Sequence, residues 1–397
     1  MKIGLNLLSI DPNYMGGVTS FTLGVISGLI KNNRDKLQLY VHKGNKHLFN
    51  SYANDNVKLI ELDYGIVKNT LSKICILIFP DRFNKYLNAI LFNKIARIMD
   101  QSSDVIYNPS ATLINFNNKV PVIVSMHDIQ HIHYPDYFNF LRLNFRKKSY
   151  LYTAKYSNYI QASSKFIGRD FLDNYKFLNQ EDIFYISEGV LQDEFYIDNN
   201  KASNLIKEIN IIDDFIFYPA QLWHHKDHIT VIKALKILRD DYGLNIMLVL
   251  SGDKFSSSKD IFNLIDKYKL NNQIRYLGKV SFKSLVALYT KAKFLITATL
   301  YESSSLPILE AVATKTAIIA SNTPPNVEMT DTLSINLFTA NEPDSLAKVI
   351  KDVWPNDSLR KKQIEENFKN LHPYKWSEVT KRYYNMFKKV IENEKSN

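Results

Sequence analysis

Apolar and polar positions alternate in blocks along this chain. Short, nearly continuous apolar runs, read as buried strands, are separated by longer segments whose apolar positions recur at helical spacing. Residues 2–8 form the first strand-like run, followed by a helix at 18–30, strands at 37–41 and 57–62, and a helix around 83–99. Strands at 105–107 and 121–125, a helix around 138–156 and a strand at 159–162 continue the pattern, and Ser163-Ser164 supplies the cap of a further helix. The polar stretch 198–204 interrupts it and is the best candidate for a domain boundary. Beyond it the pattern restarts with strands at 215–218, 246–251, 274–276, 294–297 and 317–320, and helices at 229–239, 260–267, 281–292 and 306–314. Strands that alternate with helices predict parallel, doubly wound sheets. The restart predicts two of them: a first Rossmann-like domain over 1–195, a second over 205–375, and a last helix-like stretch, 376–397, crossing back to the first. Ligands of such sheets bind beyond the carboxyl ends of the strands, which places the expected site in a cleft between the domains.

Composition narrows the class. A length of 397 residues, 45% hydrophobic and 23% charged, is enough for two full cores. A single cysteine, Cys75, excludes an internal disulfide framework and fits a reducing compartment. The apolar run before Asp11-Pro12 is too short for a secretory signal. The longest apolar run, 74–79, falls far short of the ~18 residues of a membrane span. The expectation is a soluble, cytoplasmic protein.

Charge adds a second possibility. The net charge is +10, and residues 1–190 hold 22 Lys/Arg against 15 Asp/Glu. Lys68, Lys73, Arg82, Lys85, Lys94 and Arg97 lie among Ile, Leu, Phe and Tyr, as do Arg142, Arg146, Lys147, Lys148 and Lys155. Basic residues interleaved with aromatics suit an anionic membrane surface, and equally well suit plain solvated helix faces. No nucleic-acid-binding module is recognisable, and nucleic acid is not an expected partner.

The candidate chemistry centres on Glu302-Ser-Ser-Ser-Leu-Pro-Ile-Leu-Glu310, which follows a strand and opens a helix. Pro307 is pre-organised for a first helical turn. The free N–H groups of such a start, at Ser304, Ser305 and Leu306, seat an anion. Two flanking carboxylates can accept sugar hydroxyls, so the segment points to a nucleotide sugar. Gly16-Gly17, between the first strand and helix, suits a loop close to a ligand or a plain turn. His127-Asp128 follows a strand at its carboxyl end; His131 and His133 nearby are equal candidates for a functional role, or for a weakly supported metal cluster with His127. Lys226, beside His224, His225 and His228, can reach a diphosphate as a point charge. No Gly-x-x-x-x-Gly-Lys loop, Gly-x-Ser-x-Gly elbow, Gly-x-Gly-x-x-Gly turn or Asp-x-Asp triplet occurs.

Taken in order, Gly16-Gly17, His127-Asp128, Lys226, Ser251-Gly252-Asp253, Gly278-Lys-Val280, Glu302 to Glu310 and Ser321-Asn-Thr-Pro-Pro325 resemble the family-4 retaining glycosyltransferases, and His127-Asp-Ile-Gln-His131 with Pro135 and Phe138 resembles the branch that builds bacterial surface polysaccharides. The resemblance implies the GT-B architecture, with two Rossmann-like domains facing a cleft. It implies a metal-independent hexosyltransferase that takes a UDP- or GDP-linked sugar to a lipid-linked glycan acceptor at the inner face of the plasma membrane, without a cofactor. It also implies roles. Glu310 would bind the ribose and Glu302 the transferred sugar, with His127 and Gly16-Gly17 facing that sugar from the first domain. The N–H groups of Ser305 and Leu306, with Lys226, would hold the diphosphate, and the loop at Gly278 would lie against the base. Two departures stand out. The usual Gly-Phe-Gly after the first glutamate is Ser303-Ser304-Ser305, and the arginine usual five positions before the lysine is Gln221. They leave room for a non-catalytic GT-B scaffold of a partner enzyme, and a nucleotide-sugar epimerase is the third reading.

Overall fold

All thirteen strands found among the described residues run parallel within two sheets. The computed structural model describes residues 1–12, 16–32, 35–63, 65–113 and 118–396, without the side chains of 66, 67, 81 and 396. The chain divides into two compact units, Met1–Gly189 with Trp376–Asn397, and Val190–Lys375.

The first unit is built on β1 (Lys2–Asn6), β2 (Lys36–Val41), β3 (Val57–Glu61), β4 (Val105–Asn108), β5 (Val122–Ser125), β6 (Tyr159–Ala162) and β7 (Ile183–Tyr185), in the order β3-β2-β1-β4-β5-β6-β7. Every residue of β4, β5 and β6 is buried, as a parallel sheet covered on both faces requires. Its helices include α1 (Gly17–Asn32), α2 (Ile66–Ile78), α3 (Asp81–Leu91), α4 (Asn93–Ser102), α5 (Gln130–His133), α6 (Phe140–Tyr156) and α7 (Lys165–Asn174). The C-terminal helix Trp376–Ser396 packs on α1, where Gly24 and Gly28 have no Cβ to hold off Trp376 and Thr380. Asn32 Nδ2 donates to Thr380 Oγ1 at 2.7 Å across the same contact.

The second unit carries β8 (Phe215–Pro219), β9 (Met247–Ser251), β10 (Ile274–Tyr276), β11 (Phe294–Thr297), β12 (Ala317–Ser321) and β13 (Asn336–Phe338), in the order β10-β9-β8-β11-β12-β13. Alternation along the strands sends successive side chains to opposite faces. Ile216, Tyr218, Phe294 and Ile296 fill one core, and Phe215, Phe217 and Leu295 the other. Helices α8 (Asn199–Glu208), α9 (His228–Tyr242), α10 (Ser258–Lys267), α11 (Phe282–Lys291), α12 (Leu306–Ala313), α13 (Pro324–Met329), α14 (Pro343–Val353) and α15 (Asp357–Lys369) belong to this unit, and the C-terminal helix above is α16.

Strands β7 and β13 and helices α5, α13, α14 and α15 have no counterpart in the sequence reading, and three further differences have a local cause. The stretch 198–204, read as the domain boundary, is helical: Asp198 accepts the N–H groups of Asn200 and Lys201, and α8 starts there with Ala202 and Ile206 buried, while the units divide at Gly189 and Val190. The helix read at 83–99 is two helices, parted at Phe92, whose ring is buried and whose backbone leaves the helical region. Helix α2 has no counterpart in the sequence reading, because its outward face is apolar and its periodicity is masked. Among the described residues no helix is long and apolar enough to cross a membrane.

Candidate functional site

In the second sheet the strand order reverses between β8 and β11, and the loops leaving the carboxyl ends of these two neighbours diverge there. Open α/β sheets form their ligand sites at such a switch point. The loop after β8 carries Gln221 and Lys226, and the loop after β11 carries Glu302 and the three serines.

The two loops are tied together. Tyr218, buried at the end of β8, donates its hydroxyl hydrogen to the carbonyl of Lys226 and accepts from the N–H of Ala298 at 3.3 Å. Leu300 N–H donates to the His225 carbonyl at 2.7 Å, and Ser321 Oγ donates to the Thr299 carbonyl at 2.6 Å. These bonds fix the ends of β8, β11 and β12 relative to one another. At the centre, Lys226 Nζ lies 2.6 Å from Oε2 and 2.9 Å from Oε1 of Glu302, with both side chains less than one-fifth exposed. The lysine expected to meet the diphosphate and the glutamate expected to meet the sugar are therefore an ion pair.

Helix α12 begins beside this pair with Pro307 in its first turn. Ser305 makes no side-chain cap, and its carbonyl accepts from Ile308 and Leu309 at 3.0 and 3.4 Å. Among the described residues the N–H groups of Ser304, Ser305 and Leu306 meet no acceptor, so the helix start is open to an anion. Glu310, one turn further, is half-buried and accepts the Tyr289 hydroxyl at 2.6 Å. Burial lifts the Glu310 carboxyl above the usual glutamate range, and the tyrosine bond offsets this in part. Burial holds the Tyr289 phenol far above its ordinary value, so it stays the donor.

The neighbouring strands complete the rim. Gly252, after β9, donates to the Gly278 carbonyl at 2.9 Å, and its own carbonyl accepts the Tyr276 hydroxyl at 2.7 Å. Gln221 does not stand in as a cation. Its Oε1 accepts from Trp223 Nε1 at 3.1 Å, and that indole stacks on Phe255 with centroids 3.9 Å apart. His228, raised above as a donor or metal ligand, is a core residue stacked on Tyr218, and burial pushes its pKa down to about 3. Tyr289, Tyr218 and Trp223 are the site residues that sequence reasoning missed. None sits in a recognisable motif, and each is defined by what it touches.

The remaining candidates belong to the first unit. Gly16 precedes α1, and its carbonyl accepts from Thr19 and Ser20 at 3.0 and 3.1 Å, while Gly17 opens the helix. His127 Nε2 donates to the Pro109 carbonyl at 2.9 Å, and its ring meets the Phe21 ring edge-on at 4.9 Å. Burial lowers its pKa, so the imidazole is neutral at pH 7. Burial opposes ionisation of Asp128, but Arg146 at 2.8 Å and the Gln130 N–H outweigh it and hold the carboxyl below its ordinary value. His131 is buried edge-on to Tyr150, its pKa pushed down to about 4, and His133 pairs with Asp170 at 2.8 Å. The three histidines thus face different partners, and among the described residues no group of three His, Cys, Asp or Glu is placed to hold a metal ion. This unit also has a switch point, between β1 and β4. A cavity of about 360 Å³ lies there, lined by Ser9, Asp11, His42 and Thr112 and walled by Ser72 and Lys73 of α2.

Residues 200–370 match the family model of the group 1 glycosyl transferases. Among relatives, it is 24% identical over 232 residues to the O-antigen chain mannosyltransferase RfbU of Salmonella typhimurium, covering 53% of this chain and 59% of that one. It is 24% identical over 158 residues to the O-antigen chain mannosyltransferase B of Escherichia coli, covering 40% and 41%. The chain thus spans about half the length of these relatives. Among solved structures, a glycosyltransferase of Rickettsia africae superposes with a TM-score of 0.74 at 18% identity, covering 99% of both chains. HepE of Anabaena, in complex with UDP and glucose, superposes with 0.73 at 16% identity, covering 98% of this chain and 100% of that one. The fold is that of the GT-B glycosyltransferases.

Proposed function

We propose that the chain moves a hexosyl group from a UDP- or GDP-linked donor to a lipid-linked glycan acceptor, with retention at the anomeric carbon, in the assembly of a bacterial surface polysaccharide. The observation that carries this reading is the grouping of Lys226, Glu302, the open start of α12 and Glu310 at one switch point. The names of the two O-antigen relatives make mannose the first hexose to test, and the HepE complex makes glucose the second.

In this reading Glu310 accepts the ribose hydroxyls and the loop at Gly278 lies along the base. The diphosphate sits on the N–H groups of Ser305 and Leu306 and takes Lys226 from Glu302. Released from the lysine, Glu302 accepts hydroxyls of the donor sugar. An acceptor hydroxyl oxygen then bonds to the anomeric carbon as the bond to the diphosphate breaks on the same face. The hydroxyl proton passes to the departing phosphate oxygen. The protein positions the reactants and stabilises the charge that develops on the diphosphate, a task for fixed donors and one cation rather than a nucleophile. Lys226 and the helix start fill that place without a bound metal. The first-unit cavity, with hydroxyl and imidazole groups at a second switch point, suits the acceptor glycan. The basic first unit suits an acceptor held at an anionic membrane.

The test is transfer. The purified chain is incubated, with chelator present, with labelled UDP- and GDP-hexoses and lipid-linked acceptors, and the anomeric configuration of the product is read by NMR. Metal-free turnover with retention is the expected result. Absence of turnover and of any nucleotide-induced rise in melting temperature across the panel would overturn the reading.

A further inference from the structure

Helices α2 and α3 are amphipathic the wrong way round for a protein surface in water. The outward stripe of α2 is Leu71, Ile74 and Ile78, spaced i, i+3, i+7, and that of α3 is Phe83, Tyr86 and Ile90 at the same spacing. Ile78 and Tyr86 are each 66% exposed. The inward side of the pair holds buried polar groups beside Cys75 and Ile76. Ser72 Oγ donates to Asn88 Oδ1 at 2.6 Å, Asn88 Nδ2 donates to the Asn84 carbonyl at 2.9 Å, and Asn84 Nδ2 donates to the Phe79 carbonyl at 2.8 Å. The amides thus close the corner between the two helices, and the rings of Phe79 and Phe83 meet outside it at 4.7 Å.

Helix α6 packs against α2 and extends the same surface. Lys148 Nζ donates to the Leu77 carbonyl at 2.5 Å, and the first turn of α6 exposes Phe140 and Leu141 by 77% and 68%. An exposed apolar patch of this extent on a folded chain marks an interaction surface. The charges around it identify the partner. Across α2, α3 and α6 the one acidic residue is Asp81, at the first position of α3, and exposed Lys68, Lys73, Arg82, Lys85, Arg142 and Lys147 lie among the apolar side chains. A protein interface core is depleted of lysine. Apolar residues set in a lysine- and arginine-rich field are the signature of a helix lying in the headgroup region of an anionic bilayer.

We infer that the corner of α2 and α3, with the first turn of α6, docks the chain on an anionic lipid surface by inserting Ile78, Phe79, Phe83, Tyr86, Phe140 and Leu141 below the headgroups. The inference deepens the membrane-side reading of the acceptor and rests on that part of it. Because α2 also walls the first-unit cavity through Ser72 and Lys73, the helix that meets the bilayer borders the space assigned to the acceptor.

Vesicle flotation without any nucleotide sugar tests the inference separately from catalysis. The full chain is mixed with vesicles of phosphatidylcholine alone or with phosphatidylglycerol added, at low and high salt. The expected result is flotation with the anionic vesicles only. The triple variant Ile78→Ser, Phe83→Ser, Tyr86→Ser should lose at least about tenfold in partitioning at either salt, and Lys73→Gln, Arg82→Gln, Lys85→Gln should lose it mainly at low salt. All six side chains are exposed, so both variants should keep the wild-type melting temperature. Flotation of the serine variant equal to wild type would overturn the inference. So would failure of the wild type to float, including the case in which it self-associates through this face and the serine variant does not. A chain that floats yet transfers no sugar would leave this inference standing and remove the transfer reading alone.

Discussion

Lys226 Nζ touches both carboxylate oxygens of Glu302, at 2.9 and 2.6 Å, although the two residues are 76 positions apart and leave different strands. A lysine so held is not free for a diphosphate until the glutamate releases it, and this sets opposite expectations for the two partners. Lys226→Ala removes the cation and should weaken binding of UDP or GDP by about 10- to 100-fold, the 1.5–3 kcal/mol typical of a charge-assisted bond. Glu302→Gln frees the lysine, so nucleoside diphosphate affinity should hold or tighten by up to about tenfold, while sugar transfer falls at least about a hundredfold. Calorimetry with the sugar-free nucleotide separates the two effects. Weaker nucleotide binding in Glu302→Gln would mean that the pair orders the loop rather than competes with the ligand.

Glu310 and Tyr289 give a pH dependence. Ribose hydroxyls need an ionised acceptor, and burial raises the Glu310 carboxyl above 4.5. Nucleotide affinity should therefore hold at neutral pH and fall on acidification from a pH above the usual glutamate range. The sign for stability is the reverse. A buried acid with a raised pKa contributes stability that is present when it is protonated and lost as pH rises through its folded value. Glu310→Gln should accordingly leave the free protein as stable at pH 7 as wild type, or more so, while abolishing the acid limb of binding and weakening affinity about 10- to 100-fold. Tyr289→Phe removes a hydrogen bond that favours the ionised form, so its acid limb should move to higher pH. An unmoved limb would remove Glu310 from the nucleotide site.

The serine loop invites the reverse substitution. No residue of 303–305 has positive φ, and Ser305 lies at φ −103° and ψ 84°, so the backbone here needs no glycine. Restoring the family pattern by Ser303→Gly, Ser304→Phe, Ser305→Gly keeps every N–H donor. It should change nucleotide affinity by less than about threefold, since only unfolded-state entropy favours the serines. A gain of tenfold or more would show that the serines hold the helix start away from the phosphate.

What could be read in the sequence follows from how local each signal is. Most strands of both sheets stood out because both faces are covered and their runs are almost wholly apolar, as in Phe294–Thr297, whereas the three-residue edge strands β7 and β13, each with two partly exposed residues, gave no such run. The spacing of Glu302 and Glu310 was visible because loop and helix are contiguous. The Lys226–Glu302 contact was not, because it depends on β8 and β11 being neighbours, which no local pattern specifies. Tyr289 was hidden for the same reason: its hydroxyl reaches Glu310 from another helix. Helix α2 was missed on different grounds. Reading assumes that apolar means inside, and Leu71, Ile74 and Ile78 point outward.

Gly252 ties the stability of the second unit to its site. Its φ of +138° is one that side chains rarely adopt, and a Cβ there would lie 2.6 Å from the Ala220 carbonyl oxygen and 2.8 Å from the Gln221 nitrogen. These are backbone atoms of the segment leading to Lys226, so neither can move aside cheaply. Gly252→Ala combines conformational strain with overpacking and should cost about 2–4 kcal/mol, lowering the melting temperature by roughly 5–15 °C. The displaced loop should also weaken nucleoside diphosphate binding. Gly243 separates strain from contact, because its φ is +65° and a Cβ there would meet nothing within 4 Å. Gly243→Ala should cost only about 1 kcal/mol and leave nucleotide affinity unchanged. Thermal melts and calorimetry on the two variants side by side decide the matter. Equal destabilisation with intact binding in both would mean that the close approach of Gly252 to Ala220 does not position the lysine loop.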